Sequence, residues 1–279
     1  MTQLNIGVLH PGAMGTSLAA AARNSGHQVY WASAGRSDQT HQRADANGLQ
    51  DAGSVRQLVE KCEVIVSICP PHAAEAVADQ VLECGFAGTY LDANAISPER
   101  AMHIGQRMDA AGVSFVDGGV IGGPAWQPGE TTLYLSGELA GSVASCFSAG
   151  PVATRILGAS VGRASALKMC FAAYSKGTTA LLCAVLAAAE SLGVRGELEH
   201  EWNRDGAGFS DQAEGRARRV TRKAWRFAGE MEEIESTFIS AGLPAGFHSA
   251  ANDVYQRMSH FKGREPLPSL EEVLLSLIN

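Results

Sequence analysis

Through its first 161 residues the chain alternates short β-rich apolar runs with helical patterns, and that alternation confines it to a parallel sheet wound with helices. Strand candidates occupy residues 4–9, 28–32, 64–68, 89–92, 114–117 and 131–136. Helical patterns fill residues 13–24, 55–61, 71–84, 98–111 and 139–148 between them. The apolar run Val64-Ile65-Val66-Ser67-Ile68 predicts a strand covered on both faces. Ser97-Pro98-Glu99 supplies a helix cap, a first-turn proline and an early acid, while Pro70-Pro71 ends one strand and feeds the next helix. After Gly162 the texture changes. Residues 165–194 form one Ala- and Leu-rich helical pattern, followed by helical stretches at 211–241, 246–260 and 269–278 with breakers at 204–208 and 242–246. The expected organisation is therefore an α/β domain over residues 1–161 and an all-helical domain over 162–279.

Composition narrows the class of partner. Of 279 residues, 22 are Lys or Arg and 29 are Asp or Glu, a net charge of −7 that lacks the basic footprint of a duplex-nucleic-acid or anionic-membrane protein. The cysteines Cys62, Cys69, Cys84, Cys146, Cys170 and Cys183 are dispersed, with no CxxC, and predict buried free thiols in a reducing compartment. The N-terminal segment has no charged start or long apolar run, and the apolar stretch 177–189, flanked by Lys176 and Glu190, is expected to be too short to span a bilayer. A cytoplasmic protein is expected. No HExxH, Walker loop or nucleophile elbow is present, and Glu199-His200-Glu201 reads as surface, so no metal site is expected.

The first strand runs into His10-Pro11-Gly12-Ala13-Met14-Gly15, and a helix follows at once. Gly12 lets the backbone approach a pyrophosphate, Gly15 lets the helix pack on its strand, and the free amides at the helix start face the anion. This is a phosphate-cradling turn in which His10 stands where the first glycine of G-x-G-x-x-G is usual. It makes the α/β half an N-terminal Rossmann-type doubly wound sheet. Past the second strand, Ser33-Ala34-Gly35-Arg36-Ser37 carries no acid until Asp38. A 2′-phosphate repels an acid and favours Arg and hydroxyls, so Ser33, Arg36 and Ser37 predict NADP(H) over NAD(H). Cys69, Pro70 and Asn94, at the ends of later strands, complete the cofactor-binding candidates.

Four segments in order resemble the β-hydroxyacid dehydrogenases, the family of 3-hydroxyisobutyrate and 6-phosphogluconate dehydrogenases. They are Gly7-Val8-Leu9-His10-Pro11-Gly12-Ala13-Met14-Gly15, Leu91-Asp92-Ala93-Asn94-Ala95-Ile96-Ser97-Pro98, Val116-Asp117-Gly118-Gly119-Val120-Ile121-Gly122-Gly123-Pro124 and Gly162-Arg163-Ala164-Ser165-Ala166-Leu167-Lys168. Gly242-Leu243-Pro244-Ala245-Gly246-Phe247-His248 is similar to a branch with a phosphogluconate-dehydrogenase-type C-terminal domain. The resemblance implies that Lys168 is the general acid/base, that Ile121, Gly122 and Gly123 present backbone groups to the substrate, and that the long helix pairs between subunits of a homodimer. The chain departs from the family at Ile121, in place of a serine, at Ala164, in place of a glycine, and at Ala172, in place of an asparagine one turn beyond the lysine.

The expected activity is thus hydride transfer between nicotinamide and a small hydroxyacid or carbonyl compound. Leu167, Met169, Cys170 and Phe171 surround Lys168, an apolar setting suited to an amine that must protonate oxygen. Ala172 is expected to leave room beside it. Arg216, Arg218, Arg219, Arg222, Lys223 and Arg226 form a basic cluster that reads as a solvated helix face, with Arg226 and Glu230 an i,i+4 pair. Arg226 is also a candidate anchor for a substrate carboxylate, and His248, Asp253 and Tyr255 are further cleft candidates. Two alternatives stand beside this reading: an imine reductase, and a non-catalytic NADPH-binding regulatory protein.

Overall fold

The computed structural model describes residues 2–204 and 208–278, and the chain divides into two compact units, Met1–Met169 and Cys170–Asn279. In the first unit eight strands form one sheet in the order β3-β2-β1-β4-β5-β6-β7-β8. These are β1 (Asn5–Val8), β2 (Gln28–Trp31), β3 (Gln50–Asp51), β4 (Val64–Ser67), β5 (Thr89–Asp92), β6 (Ser114–Gly122), β7 (Thr131–Ser136) and β8 (Ala153–Ile156). All neighbours pair in parallel except β6 with β7. The helices between them are α1 (Ala13–Asn24), α2 (Asp38–Ala46), α3 (Val55–Lys61), α4 (Ala74–Glu83), α5 (Pro98–Ala110) and α6 (Ala140–Ser145).

Strand parity sorts the apolar residues into two cores, one on each face. Ile6, Val8, Val29, Val64, Val66, Leu91 and Val116 pack with α1 and α6, and Ile65, Tyr90 and Phe115 pack with α3, α4 and α5. Burying one such aliphatic side chain contributes about 1.5–3 kcal/mol, so the doubly covered strands fix the sheet. The cap expected at Ser97 is present, its side chain accepting from the Arg100 amide with Pro98 in the first turn.

Several boundaries differ from the pattern. The stretch expected to leave its strand after residue 117 continues as β6 to Gly122, because β7 supplies antiparallel partners out to Gly122↔Thr131. The short edge strands β3 and β8 and helix α2 carry little apolar signal; α2 buries only Ala44. The pattern at 71–84 begins as a 3₁₀ turn, Pro71–Ala73, before α4.

α7 (Arg163–Ser191) starts in the first unit and continues into the second. Its 29 residues make it the one described helix long and apolar enough, by length and composition, to cross a membrane. Only 44% of its most apolar window is buried, and Phe171, Tyr174, Leu181 and Val185 are exposed on it. The second unit continues with α8 (Arg195–Trp202), α9 (Phe209–Val220), α10 (Ala224–Ser240), α11 (Gly246–Arg257) and α12 (Leu270–Ile278). The single helix expected over 211–241 is broken between Val220 and Ala224, and α8 was not anticipated. Of the breaker at 204–208, residues 205–207 lie outside the described residues.

The basic cluster is not merely a solvated face. Arg216 donates to Thr179 Oγ1, Thr178 Oγ1 and the Ser175 carbonyl, knitting α9 to α7, and Arg218 donates to the Pro268 carbonyl at 2.9 Å. Within the same unit the buried Glu230 carboxylate accepts from Lys176, whose ammonium lies 4.6 Å from the centre of the Phe227 ring. All six cysteines are free; Cys170 is exposed, contrary to the expectation of buried thiols, and Cys69 and Cys84 are half-buried.

Candidate nicotinamide-dinucleotide site

The parallel strands deliver their following residues to one edge of the sheet. The order reverses at β1, which lies between β2 and β4, and such a switch opens a crevice at the carboxyl ends of the strands. The turn after β1 and the Cys69-Pro70 segment after β4 border that crevice.

Gly15 is required by close packing: a Cβ there would lie 2.3 Å from the His10 carbonyl oxygen. A Cβ on Gly12 would instead meet nothing within 4 Å. Open space thus stands at the N-cap of α1. No side chain caps α1 and no acid lies in its first turn, whereas Ser54 and Ser97 cap α3 and α5. Uncapped amides at the positive end of a 12-residue helix suit an anion.

His10 is not the solvated turn residue that a lone histidine suggests. Burial, with the Arg36 charge second, lowers its pKa to about 4, so the imidazole is neutral at physiological pH. Its Nδ1 and the Arg36 Nε are buried without a hydrogen-bond partner. Arg36 also acts electrostatically on Cys69, whose thiol burial pushes up to about 12. Two orphaned nitrogen atoms beside an uncapped helix start fit a phosphorylated dinucleotide.

Ser33 Oγ and Ser37 Oγ lie 3.5 Å from the Gly53 carbonyl and 3.1 Å from Thr40 Oγ1. Asp38, the first acid after β2, sits inside α2 rather than at the strand end. Arg43, which the sequence pattern did not single out, brings a second guanidinium to the turn, 3.5 Å from the Pro11 carbonyl oxygen. It was hidden because α2 shows no apolar stripe.

Asn94 is buried and already engaged: its Oδ1 accepts the Cys69 amide at 2.6 Å and its Nδ2 donates to Ser67 Oγ at 3.2 Å. The structure gives it the task of tying the segments after β4 and β5 together. Ser17, buried in α1, accepts the Ala125 amide at 2.9 Å and donates to the Met14 carbonyl at 2.8 Å. This bond joins the glycine turn's helix to the segment after β6.

Beyond the end of β5, β6 overshoots as a ridge. Val120 and Ile121 lie on this ridge, followed by the exposed Gly122 and Gly123. Gly122 takes φ +126°, and a Cβ there would lie 2.3 Å from the Glu130 carbonyl oxygen. Lys168, in the first turns of α7, is half-buried and donates to the Val120 carbonyl at 2.7 Å.

Two further substrate candidates belong to the second unit. Ala172 is buried, so it opens no solvent-accessible room. Arg226 lies 3.4 Å from Glu230, the expected i,i+4 pair, and 5.6 Å from the Phe227 ring centre. His248 is buried against Phe238 and Phe247, and Tyr255 donates to the Lys176 carbonyl at 2.7 Å. Asp253 lines a shallow groove with Arg257 and Leu277. Among the described residues no group of three or more His, Cys, Asp or Glu is placed to hold a metal.

Residues 5–144 match the model of the NAD binding domain of 6-phosphogluconate dehydrogenase. The chain belongs to the β-hydroxyacid dehydrogenase family. It is an NAD(P)-dependent dehydrogenase or reductase of that family, and its first unit binds a nicotinamide cofactor. Residues 189–258 match a domain of unknown function, DUF1932. An uncharacterized 28.5 kDa protein of Methanothermus fervidus is 29% identical over 210 residues, which cover 75% of this chain and 81% of that protein. The solved structure of the conserved protein MTH1747, described as of unknown function and structurally similar to 3-hydroxyacid dehydrogenases, is 25% identical with a TM-score of 0.67 over 98% of this chain and 99% of that one. The 3-hydroxyisobutyrate dehydrogenase of Salmonella typhimurium shares the fold at 21% identity, with a TM-score of 0.72 and the same coverage of the two chains.

Beneath the site of this family member lies a second feature that the sequence did not flag. Asp92 is fully buried; its Oδ1 accepts the Asn94 amide at 2.9 Å and its Oδ2 has no partner. Burial pushes its carboxyl up to about 7, with the neighbouring Asp117 adding to the effect and the Asn94 amide opposing it. Between the ordinary value of 3.8 and about 7 the native state keeps a proton that the unfolded chain has released, so this group costs stability as pH rises through that window. Asp92→Asn retains an acceptor for Asn94 and removes the buried charge. Its melting temperature should match the parent below pH 4 and exceed it by about 2–4 °C at pH 8, as measured by thermal unfolding across pH.

Proposed function

We propose that this enzyme is an NADP(H)-dependent oxidoreductase that transfers a hydride between nicotinamide and a small hydroxyacid or its carbonyl partner, with Lys168 as general acid/base. The observation that carries the reading is the Lys168 Nζ held 2.7 Å from the Val120 carbonyl, on the ridge that ends in the Gly122-Gly123 pair. Residues 1–161 act as the NADP-binding domain and 162–279 as the helical substrate and dimerisation domain. His10, Pro11, Gly12, Ala13 and Met14 take the diphosphate. Ser33, Arg36 and Ser37 take the 2′-phosphate, and Cys69, Pro70 and Asn94 border the rest of the cofactor. Ile121, Gly122 and Gly123 meet the substrate, and Ala172 and Arg226 remain further candidates for contacting it. For Arg226 this requires exchanging Glu230 for a substrate carboxylate.

When bound, the nicotinamide supplies or accepts the hydride. In the reductive direction the Lys168 ammonium gives its proton to the carbonyl oxygen as negative charge develops there. The N–H bond breaks, an O–H bond forms, and the neutral amine keeps its electron pair; oxidation reverses the transfer. The Val120 carbonyl holds the ammonium before the step and orients the amine after it.

The exposed apolar residues Phe171, Tyr174, Leu181 and Val185 on α7 support a homodimer formed through the helical domain. Six free cysteines support a cytoplasmic location. Sedimentation at micromolar concentration should give the dimer mass; a monomer alone removes the dimer from this reading.

Activity is sought with NADPH and a panel of β-keto acids, aldehydes and cyclic imines; turnover of imines alone would move the assignment to imine reduction. Lys168→Met should lower kcat by about two to four orders of magnitude and leave NADPH binding, read by cofactor fluorescence, unchanged. Arg36→Ala should raise the KM for NADPH by about 10–100-fold and that for NADH by much less, because a charge-assisted phosphate contact is lost only with the former. Equal use of NADH and NADPH by the parent enzyme would remove the cofactor preference.

A further inference from the structure

We propose that Asp117 is a positioning residue for the reaction: its buried carboxylate clamps the first turn of α7 to the sheet and thereby sets Lys168 Nζ on the Val120 carbonyl. The inference rests on Lys168 as proton donor.

Asp117 is 1% exposed in the middle of β6, a costly place for a carboxylate unless donors surround it. They do. Its Oδ2 accepts from Ser136 Oγ at 2.9 Å and from the amides of Gly162, Ala164 and Ser165 at 3.0, 2.9 and 3.1 Å. Its Oδ1 accepts from Ser165 Oγ at 2.6 Å. The amides at the start of α7 have no intrahelical partners of their own. Gly162, immediately before the helix, has no side chain to satisfy them and holds φ +95°, where other residues are strained. The cap therefore comes from a strand 45 residues earlier in the chain, and it carries the charge that the positive end of a helix prefers.

The clamp continues toward the lysine. Gly119, two residues beyond Asp117 on the same face of β6, lies so close to α7 that a Cβ there would stand 2.6 Å from the Ala164 carbonyl oxygen and 3.2 Å from Lys168 Cβ. The next residue, Val120, accepts the Lys168 ammonium. Asp117, Gly119 and Val120 thus register one strand against one turn of one helix. The ridge bearing Ile121 and the glycine pair is fixed to the proton donor. An asparagine at 117 offers one acceptor oxygen and turns an NH₂ toward donors, so the turn must shift, and a displacement of about 1 Å in such a group costs about 100-fold in rate.

The test uses the full-length enzyme with NADPH and the panel substrate that the parent turns over fastest. For Asp117→Asn the NADPH dissociation constant should stay within about twofold, kcat should fall about 30–300-fold and KM should change by less than about threefold. The solvent deuterium isotope effect on kcat should rise, because only misplacement of the proton donor slows proton transfer selectively. Ser165→Ala, which keeps every backbone donor and loses one hydroxyl, should lower kcat about 3–10-fold with the same rise. If Asp117→Asn does not fold, Ser165→Ala and Ser136→Ala carry the measurement. Unchanged kcat in these folded variants, or a loss of kcat accompanied by weakened NADPH binding and an unaltered isotope effect, overturns the proposal. Should Lys168→Met itself retain full turnover, the acid/base reading fails; full loss in Lys168→Met with none in the clamp variants removes Asp117 alone.

Discussion

The carboxylate of Asp117 is the point at which the sheet takes hold of the long helix. A charge buried inside a doubly covered sheet is tolerated only when several donors converge on it, and here the donors are the unsatisfied amides of α7 together with two serine hydroxyls. The two liabilities, a desolvated acid and an uncapped helix start, satisfy each other. Gly119 and Gly162 serve the same junction: one removes the side chain that would hold helix and strand apart, and the other adopts the backbone conformation with which the chain enters the helix.

The cofactor end of the unit solves the opposite problem. At α1 the helix start is left without a cap, and the buried nitrogens of His10 and Arg36 are left without partners. Two orphaned donors that flank an open helix start suit an anionic ligand, since each orphaned buried group costs about 1–3 kcal/mol that an incoming anion can return. Histidine at the usual glycine position is compatible with that role because its buried ring stays neutral beside a guanidinium. The bond from Ser17 to Ala125 links this turn to the segment that follows the Gly122-Gly123 pair.

In the helical unit several polar contacts run between helices. Lys176 and Arg226 converge on the buried Glu230, and Arg216 reaches across to the polar groups of α7. A buried ion pair of this kind adds little net stability over a well-packed apolar contact, but removing one partner strands the other charge. The helices are therefore held in a particular register by charges, while Phe171, Tyr174, Leu181 and Val185 stay exposed along α7.

The alternation of apolar runs and helical patterns determined the wound sheet, and the glycine turn with its neighbouring strand ends marked a candidate dinucleotide seat, because period, parity and turn chemistry are local properties of the chain. The same locality hid α2, β3 and β8, which bury too little to leave a pattern, and with α2 it hid Arg43. It also gave Ala172 an open setting that the fold did not keep, since Ala172 is buried, and it did not show that Asn94 ties two loops or that His10 is withdrawn from water. An acid inside the apolar run Phe115-Val116-Asp117 was the one available hint of the clamp. Residue types and their order along the chain were enough to name the fold and to single out Lys168 as a candidate. Which carboxylate caps which helix, and which carbonyl receives that lysine, depended on bringing together segments about 45 residues apart, a pairing set by strand register and close packing rather than by any neighbourhood in the sequence.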